Sequence, residues 1–266
     1  MGIAVDTVGF SATNPSTTVT AVTFASGDTG TVRNASQGSY VGLEAMGRQG
    51  ATAGIIQIKS PLLHDNVEGI QAWVSDTPSC RLIPRYGIQQ LKSQDTLAVG
   101  LSGGTAEVEC GFYQVGYDDL PGSAARMHSW GDIAGLIQYI KVNEVTATTS
   151  GTAGVWSDTA ITTTENLLEA NVDYAVLGYL TDVAVCAIGV RGSETNNLRV
   201  CGPGTVRGEV TAEYFVQMSN DLGKPRIPVF NSANRTAVFL SLLAVATSAT
   251  VHGQLILARL SQNLAT

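Results

Sequence analysis

Lysine is nearly absent from this 266-residue chain: Lys59, Lys92, Lys141 and Lys224 are the whole set. Charged residues make up 14% of the sequence, against about 25% in an average globular protein. With 15 basic and 22 acidic residues the formal net charge is −7, and no basic run occurs. A phosphate-binding surface needs clustered Lys and Arg to release counterions, so direct nucleic-acid binding is not expected. Long apolar runs are missing too. The longest, Ala237–Ala246, is broken by Ser241 and covers about half a bilayer, so no membrane insertion is expected. The start, MGIAVDTVGF, has neither the charged n-region nor the continuous apolar stretch of a signal peptide, and reads as a chain made in the cytoplasm. The four cysteines, Cys80, Cys110, Cys186 and Cys201, show no CxxC spacing, and are expected to be reduced, mostly buried thiols.

What is there is apolar and small. Hydrophobic residues reach 44% and glycines number 29, and the mean hydropathy is +0.14, which excludes a disordered chain. A globular chain this poor in charge suits a protein whose surface is covered by copies of itself.

The periodicity is mostly two. Strands are expected over Thr18–Phe24, Ala53–Lys59, Gly69–Val74, Glu107–Tyr117, Leu136–Thr149, Val183–Val190, Glu209–Met218, Thr236–Val245 and Ala249–Leu257. Turn chemistry separates them at Ser26-Gly27-Asp28, Ser102-Gly103-Gly104, Ser150-Gly151, Gly202-Pro203-Gly204 and Leu222-Gly223-Lys224. Helical signals are few. Thr164–Ala170 has a Thr cap and good helix formers. Ser129–Ile140 opens on a capping-box-like Ser129…Asp132 and then reads equally as helix or strand.

Short stretches recur in the same order in both halves. Val19–Thr23 matches Val145–Thr149, Tyr40–Leu43 matches Tyr174–Leu177, and Ile56–Lys59 matches Ile188–Arg191. Ile83–Tyr86 matches Ile227–Phe230, Thr96 matches Thr236, Gly111 matches Gly253, and Leu120 matches Leu260. The reading is an all-β chain, a tandem β-sandwich with one or two short helices. The first unit covers residues 1–120, a linker 121–130, and the second unit 131–266. The low lysine count leaves sheet edges unguarded, so Met1–Ser16 and Ser261–Thr266 are expected to contact other chains, with residues 1–16 dispensable for folding.

The chemical motifs are weak. Gly100-Leu-Ser102-Gly-Gly104 fits the nucleophile-elbow spacing, but an alternating strand pattern follows it where a helix is needed. His64, His128 and His252 have no metal-ligand spacing. Gly202–Gly208 lacks the GK[ST] of a phosphate loop and reads as a turn. Glu107 and Glu109 sit two apart on a strand and are expected on a solvent-facing edge. Asp118-Asp119 lacks the ligand pattern of a calcium loop. Trp73, Trp130 and Trp156 are scattered and form no stacking row. No catalytic, cofactor-binding or metal-binding residue is assigned, and the chain does not read as an enzyme.

The second half, from Tyr214-Phe-Val-Gln-Met218 through Arg226-Ile-Pro-Val-Phe-Asn231 to Leu260, together with the internal duplication, resembles bacteriophage capsid or capsid-decoration proteins, in particular the double jelly-roll major capsid proteins. The resemblance is one of composition and strand pattern over most of the chain, and no functional residues carry over. It implies a structural protein of the virion, made in the host cytoplasm, that assembles with copies of itself and with other capsid proteins as shell or cement, and that uses no cofactor. The alternative is a tandem β-sandwich binding module for a carbohydrate or a host surface.

Overall fold

The computed structural model describes residues 2–13, 15–62, 69–74, 89–104, 107–161, 168–206 and 208–264. The chain is all-β, with four antiparallel sheets and, among the described residues, three short helices. In the first half run β1 (Ala4–Thr13), β2 (Thr20–Ala21), β3 (Thr23–Phe24), β4 (Val41–Gln49), β5 (Gly54–Lys59), β6 (Ile70–Val74), β7 (Gln89–Gln90), β8 (Ala98–Leu101) and β9 (Val108–Tyr117). The second half holds β10 (Met127–His128), α1 (Trp130–Ile133), β11 (Ile137–Thr148), β12 (Ser157–Ala160), β13 (Asp173–Thr181), β14 (Val185–Gly192) and β15 (Arg199–Gly204). Then come α2 (Gly208–Thr211), α3 (Tyr214–Leu222), β16 (Ile227–Asn231), β17 (Val238–Leu243) and β18 (Thr250–Leu260).

The sheet orders are β3-β1-β9-β4-β7 and β2-β8-β5-β6 in the first half, β11-β18-β13-β16-β10 and β12-β17-β14-β15 in the second. Setting β3 and β10 aside leaves eight strands in each half. Numbered in chain order within a half, both read 1-8-3-6 in one sheet and 2-7-4-5 in the other. The pairing is nested: β1 with β9, β2 with β8, β4 with β7 and β5 with β6. It recurs as β11 with β18, β12 with β17, β13 with β16 and β14 with β15. Ile56 and Ile188 lie on β5 and β14, and Gly111 and Gly253 on β9 and β18, at the same places in the two orders. Tyr40–Leu43 and Tyr174–Leu177 likewise reach β4 and β13. Val19 and Val145 do not correspond, because Val19 precedes β2 whereas Val145 lies inside β11. Ile83–Tyr86 lies outside the described residues.

One core, with Phe10, Met46, Ile56, Leu101 and Tyr113, fills the space between the two first-half sheets. A second, with Val145, Tyr174, Ile188, Leu240 and Leu255, fills the space between the two second-half sheets. A third, with Cys110, Phe112, Trp156, Cys186, Cys201 and Leu243, lies where β1, β4 and β9 meet β14 and β15. β1, β4 and β9 are therefore covered on both faces.

Several expectations are corrected. Glu209–Met218 is not a strand but α2 and the start of α3: Tyr214, Phe215 and Met218 bury one helical face, and Gly223, at φ 62°, supplies the left-handed C-cap. Gly202-Pro203-Gly204 is not a turn but the end of β15, an edge strand where proline is tolerated. At Ser129–Ile140 both signals are realised in turn. Ser129 and Asp132 form the capping box of α1, a 3-10 turn spans Ala134–Leu136, and β11 follows. Thr164–Leu167 lies outside the described residues, and Leu168–Ala170 is not helical. In the expected linker 121–130, Met127 and His128 pair with Pro228 and Ile227.

The segment Ala4–Thr13 is an interior strand with ten partners in β9, so the expectation that residues 1–16 can be removed from a folded protein does not survive. The other end is held within the chain as well. The Leu264 amide donates to Asp173, and the Leu264 carbonyl accepts from Arg126.

Candidate functional site

The seam between the halves is made by small residues that let the sheets approach. A Cβ on Gly9 would lie 2.8 Å from Trp156 Nε1 and 2.9 Å from Leu243 Cδ2, so only glycine fits this point of β1 without a shift. Trp156 Nε1 donates to Asp28 Oδ2 at 2.7 Å, and the same oxygen accepts the Gly9 amide at 2.7 Å. Arg199 stacks on the Trp156 ring at 4.8 Å and pairs with Asp158 at 3.0 Å. Thr7 Oγ1 accepts the Cys201 amide at 3.0 Å. Gln49 donates to the Ala184 carbonyl and accepts the Val245 amide.

Two acids, Asp6 buried and Asp28 partly buried, face this seam. Burial raises the carboxyl of Asp28, against the lowering hydrogen bonds from Gly9 and Trp156. Burial likewise raises Asp6, whose partner is Arg33 at 2.6 Å. At the far end of the seam, burial raises Glu44 while Arg226 pulls it down. Asp118 pairs with Lys224 at 2.6 Å in the same network, and the Lys224 ammonium lies 3.9 Å from the centre of the Tyr40 ring. The charge missing from the surface is thus partly spent on holding the halves together. Burying ions is expensive unless each has a close partner, and Asp6 and Glu44 have theirs.

Among the described residues, two sheet faces are partly open. On β2-β8-β5-β6 the side chains of Ile56, Ile58, Val99 and Leu101 point into the core, so Ile55, Gln57, Lys59, Ala98 and Gly100 point outward. Trp73, opposite Ile55, is 74% exposed. A shallow groove of about 170 Å³ runs along this face between Val19, Ala21, Gln57, Lys59, Ala98 and Gly100. On the opposite flank, β11 and β18 turn Asn143, Val145, Val251 and Leu255 inward. Ile140, 58% exposed, and Val142, 44% exposed, face outward, with Glu144, Thr146 and His252 further along.

The residues singled out in the sequence are dispersed. Ser102 Oγ accepts the Ile55 amide, and no helix follows it, so the elbow geometry does not form. His128 lies in β10, and burial holds its imidazole below the ordinary histidine range. His252 lies 3.2 Å from Glu144 on the open β11–β18 face. His64 and Cys80 lie outside the described residues. Cys110, Cys186 and Cys201 are free and buried. Glu109 is not on a solvent edge. It is fully buried 2.6 Å from Arg48, because β9 is covered on both faces and alternation there carries no information about solvent. Asp119 accepts the Gly2 amide. Trp130 begins α1, its amide donating to Ser219. Among the described residues no group of three or more His, Cys, Asp or Glu side chains is placed to hold a metal ion, and no helix is long and apolar enough to cross a membrane. The residues that sequence reasoning missed are those of the seam: Gly9, Glu44, Arg226 and Asp28 carry no local signal of their long-range partners.

No family model, curated protein or solved structure matches the chain.

Proposed function

We propose that the chain is a structural protein of a viral, phage-type capsid, built from two jelly-roll sandwiches in tandem, that works through assembly with copies of itself rather than as an enzyme. The observation that carries this reading is the shared strand order of the two halves, 1-8-3-6 against 2-7-4-5. Eight strands in two sheets with nested pairing are what a jelly roll requires, and that architecture recurs in viral shells. The layering supports the same reading. The 1-8-3-6 sheet of the first half packs on the 2-7-4-5 sheet of the second. Among the described residues, such a head-to-tail contact leaves an outer side of β5 and β6 and an outer side of β11 and β18 free at the two flanks, and heterologous contacts of this kind build rings and lattices. The division into units near residues 120 and 130, and residence in the virion, are part of the proposal.

Negative-stain microscopy of the concentrated full-length protein tests it. Discrete oligomers or regular shells and sheets are expected. Featureless particles of single-chain size under all conditions, with and without capsid partners, would contradict it.

A further inference from the structure

We infer that the open face of β2-β8-β5-β6 on one copy receives the open face of β11-β18 on a second copy. This deepens the assembly reading above and rests on it. By strand order, β2-β8-β5-β6 is the counterpart of β12-β17-β14-β15, and β11-β18-β13 is the counterpart of β1-β9-β4. Those counterparts already meet inside the chain: β14 and β15 lie against β1, β4 and β9. The outer side of β13 at Gly178 is covered by Thr211 of α2 and by Ala212, so the part of this face left open is that of β11 and β18. Continuing the same contact outward over these two strands takes the open face of the other half on a second copy.

The chemistry of the two faces agrees. The first offers Trp73 and Ile55 beside a groove floored by Gly100 and Ala98. The second offers Ile140 and Val142 as exposed apolar side chains on neighbouring turns of the pleat. Lys59 is the charged residue lining the groove, and Glu144, about half exposed, is the acid that follows Val142 on the outward side of β11. A large exposed aromatic, here Trp73 on the edge strand β6, is a common anchor of such an interface. The contact is heterologous, so face meets unlike face and the two can be disabled separately.

Trp73→Glu disables the first face and Val142→Arg the second. Sedimentation and native mass spectrometry on each variant alone should show self-association at least about tenfold weaker than wild type, as for loss of a hot-spot residue. Mixed together, the two variants retain one intact copy of each face between them, and a 1:1 heterodimer should form that grows no further. Near-ultraviolet circular dichroism checks that each is folded, and Ala98→Arg and Ile140→Asp replace any variant that is not. If wild type assembles but either variant alone still assembles as wild type does, or the mixture stays monomeric, this docking is wrong and the assembly reading stands. If wild type itself never associates, both fail.

Discussion

Arg226, just before β16, grips both carboxylate oxygens of Glu44 in β4, at 2.6 and 2.5 Å, across 182 residues of sequence. Both side chains are buried, and they join the two halves. Removing one partner leaves the other as an uncompensated buried charge, which costs about 3–5 kcal/mol. Arg226→Met alone and Glu44→Leu alone should each lose that much in urea unfolding. The double variant should recover a large part of it, because a hydrophobic replacement of both ions is often neutral. A loss in the double variant equal to the sum of the two single losses would show that the pair is not coupled.

Gly9 makes the same point about shape. Valine there drives a branched side chain into Trp156 and Leu243, and overpacking of a tight contact costs about 1–3 kcal/mol. For a chain of this size that lowers Tm by about 2–4 °C per kcal/mol. A Gly9→Val protein that melts with wild type would mean that the seam is looser than the structure has it.

Acid should weaken the second half through Asp173. Burial pushes this carboxyl up, but hydrogen bonds from Arg126, the Leu264 amide and Asn231 outweigh it and leave the pKa below the ordinary aspartate value. A depressed folded-state pKa stabilises above the unfolded pKa, and that stability is lost as pH falls through the folded one. Stability of wild type should therefore drop on acidification below the usual aspartate range. Asp173→Asn should start lower at neutral pH and lose less over the same interval, as read by unfolding midpoints along a pH series. A parallel decline in both proteins would remove Asp173 from the account.

The thiols should be inert. Burial, with Glu109 nearby, pushes the Cys110 thiol up to about 12, and burial raises Cys186 and Cys201 well above the free value. Few thiolates exist at neutral pH, and none is reachable. Alkylation followed by peptide mapping should leave Cys110, Cys186 and Cys201 unmodified in native protein and modify all three in denaturant. Rapid labelling of any of them in native protein would contradict the burial.

Sequence patterning read the half-buried β11 well and missed the fully buried β1 and β4. β11, with Asn143, Val145 and Ala147 inward and Val142, Glu144 and Thr146 outward, alternates because one face meets core and the other does not. β1 and β4 are covered on both sides and hold Asp6, Thr7, Gly9, Glu44 and Arg48 among their buried residues. Ion pairs and glycines replace the apolar alternation there, so both strands escaped a period-two reading. α3 hid for the opposite reason. Its Tyr, Phe and Val have strand-like propensities, and only the Tyr214–Met218–Leu222 spacing marks a helix. The open face beside β6 was not legible: Trp73 gained meaning only once Ala72 was placed in the core and its neighbour outside.

The central claim is that this chain functions by associating with itself, and sedimentation velocity over a wide concentration series measures that most directly. The account expects a weight-average mass that climbs well above the 27.7 kDa of one chain as concentration rises. A single species of one chain's mass across the whole series would contradict it.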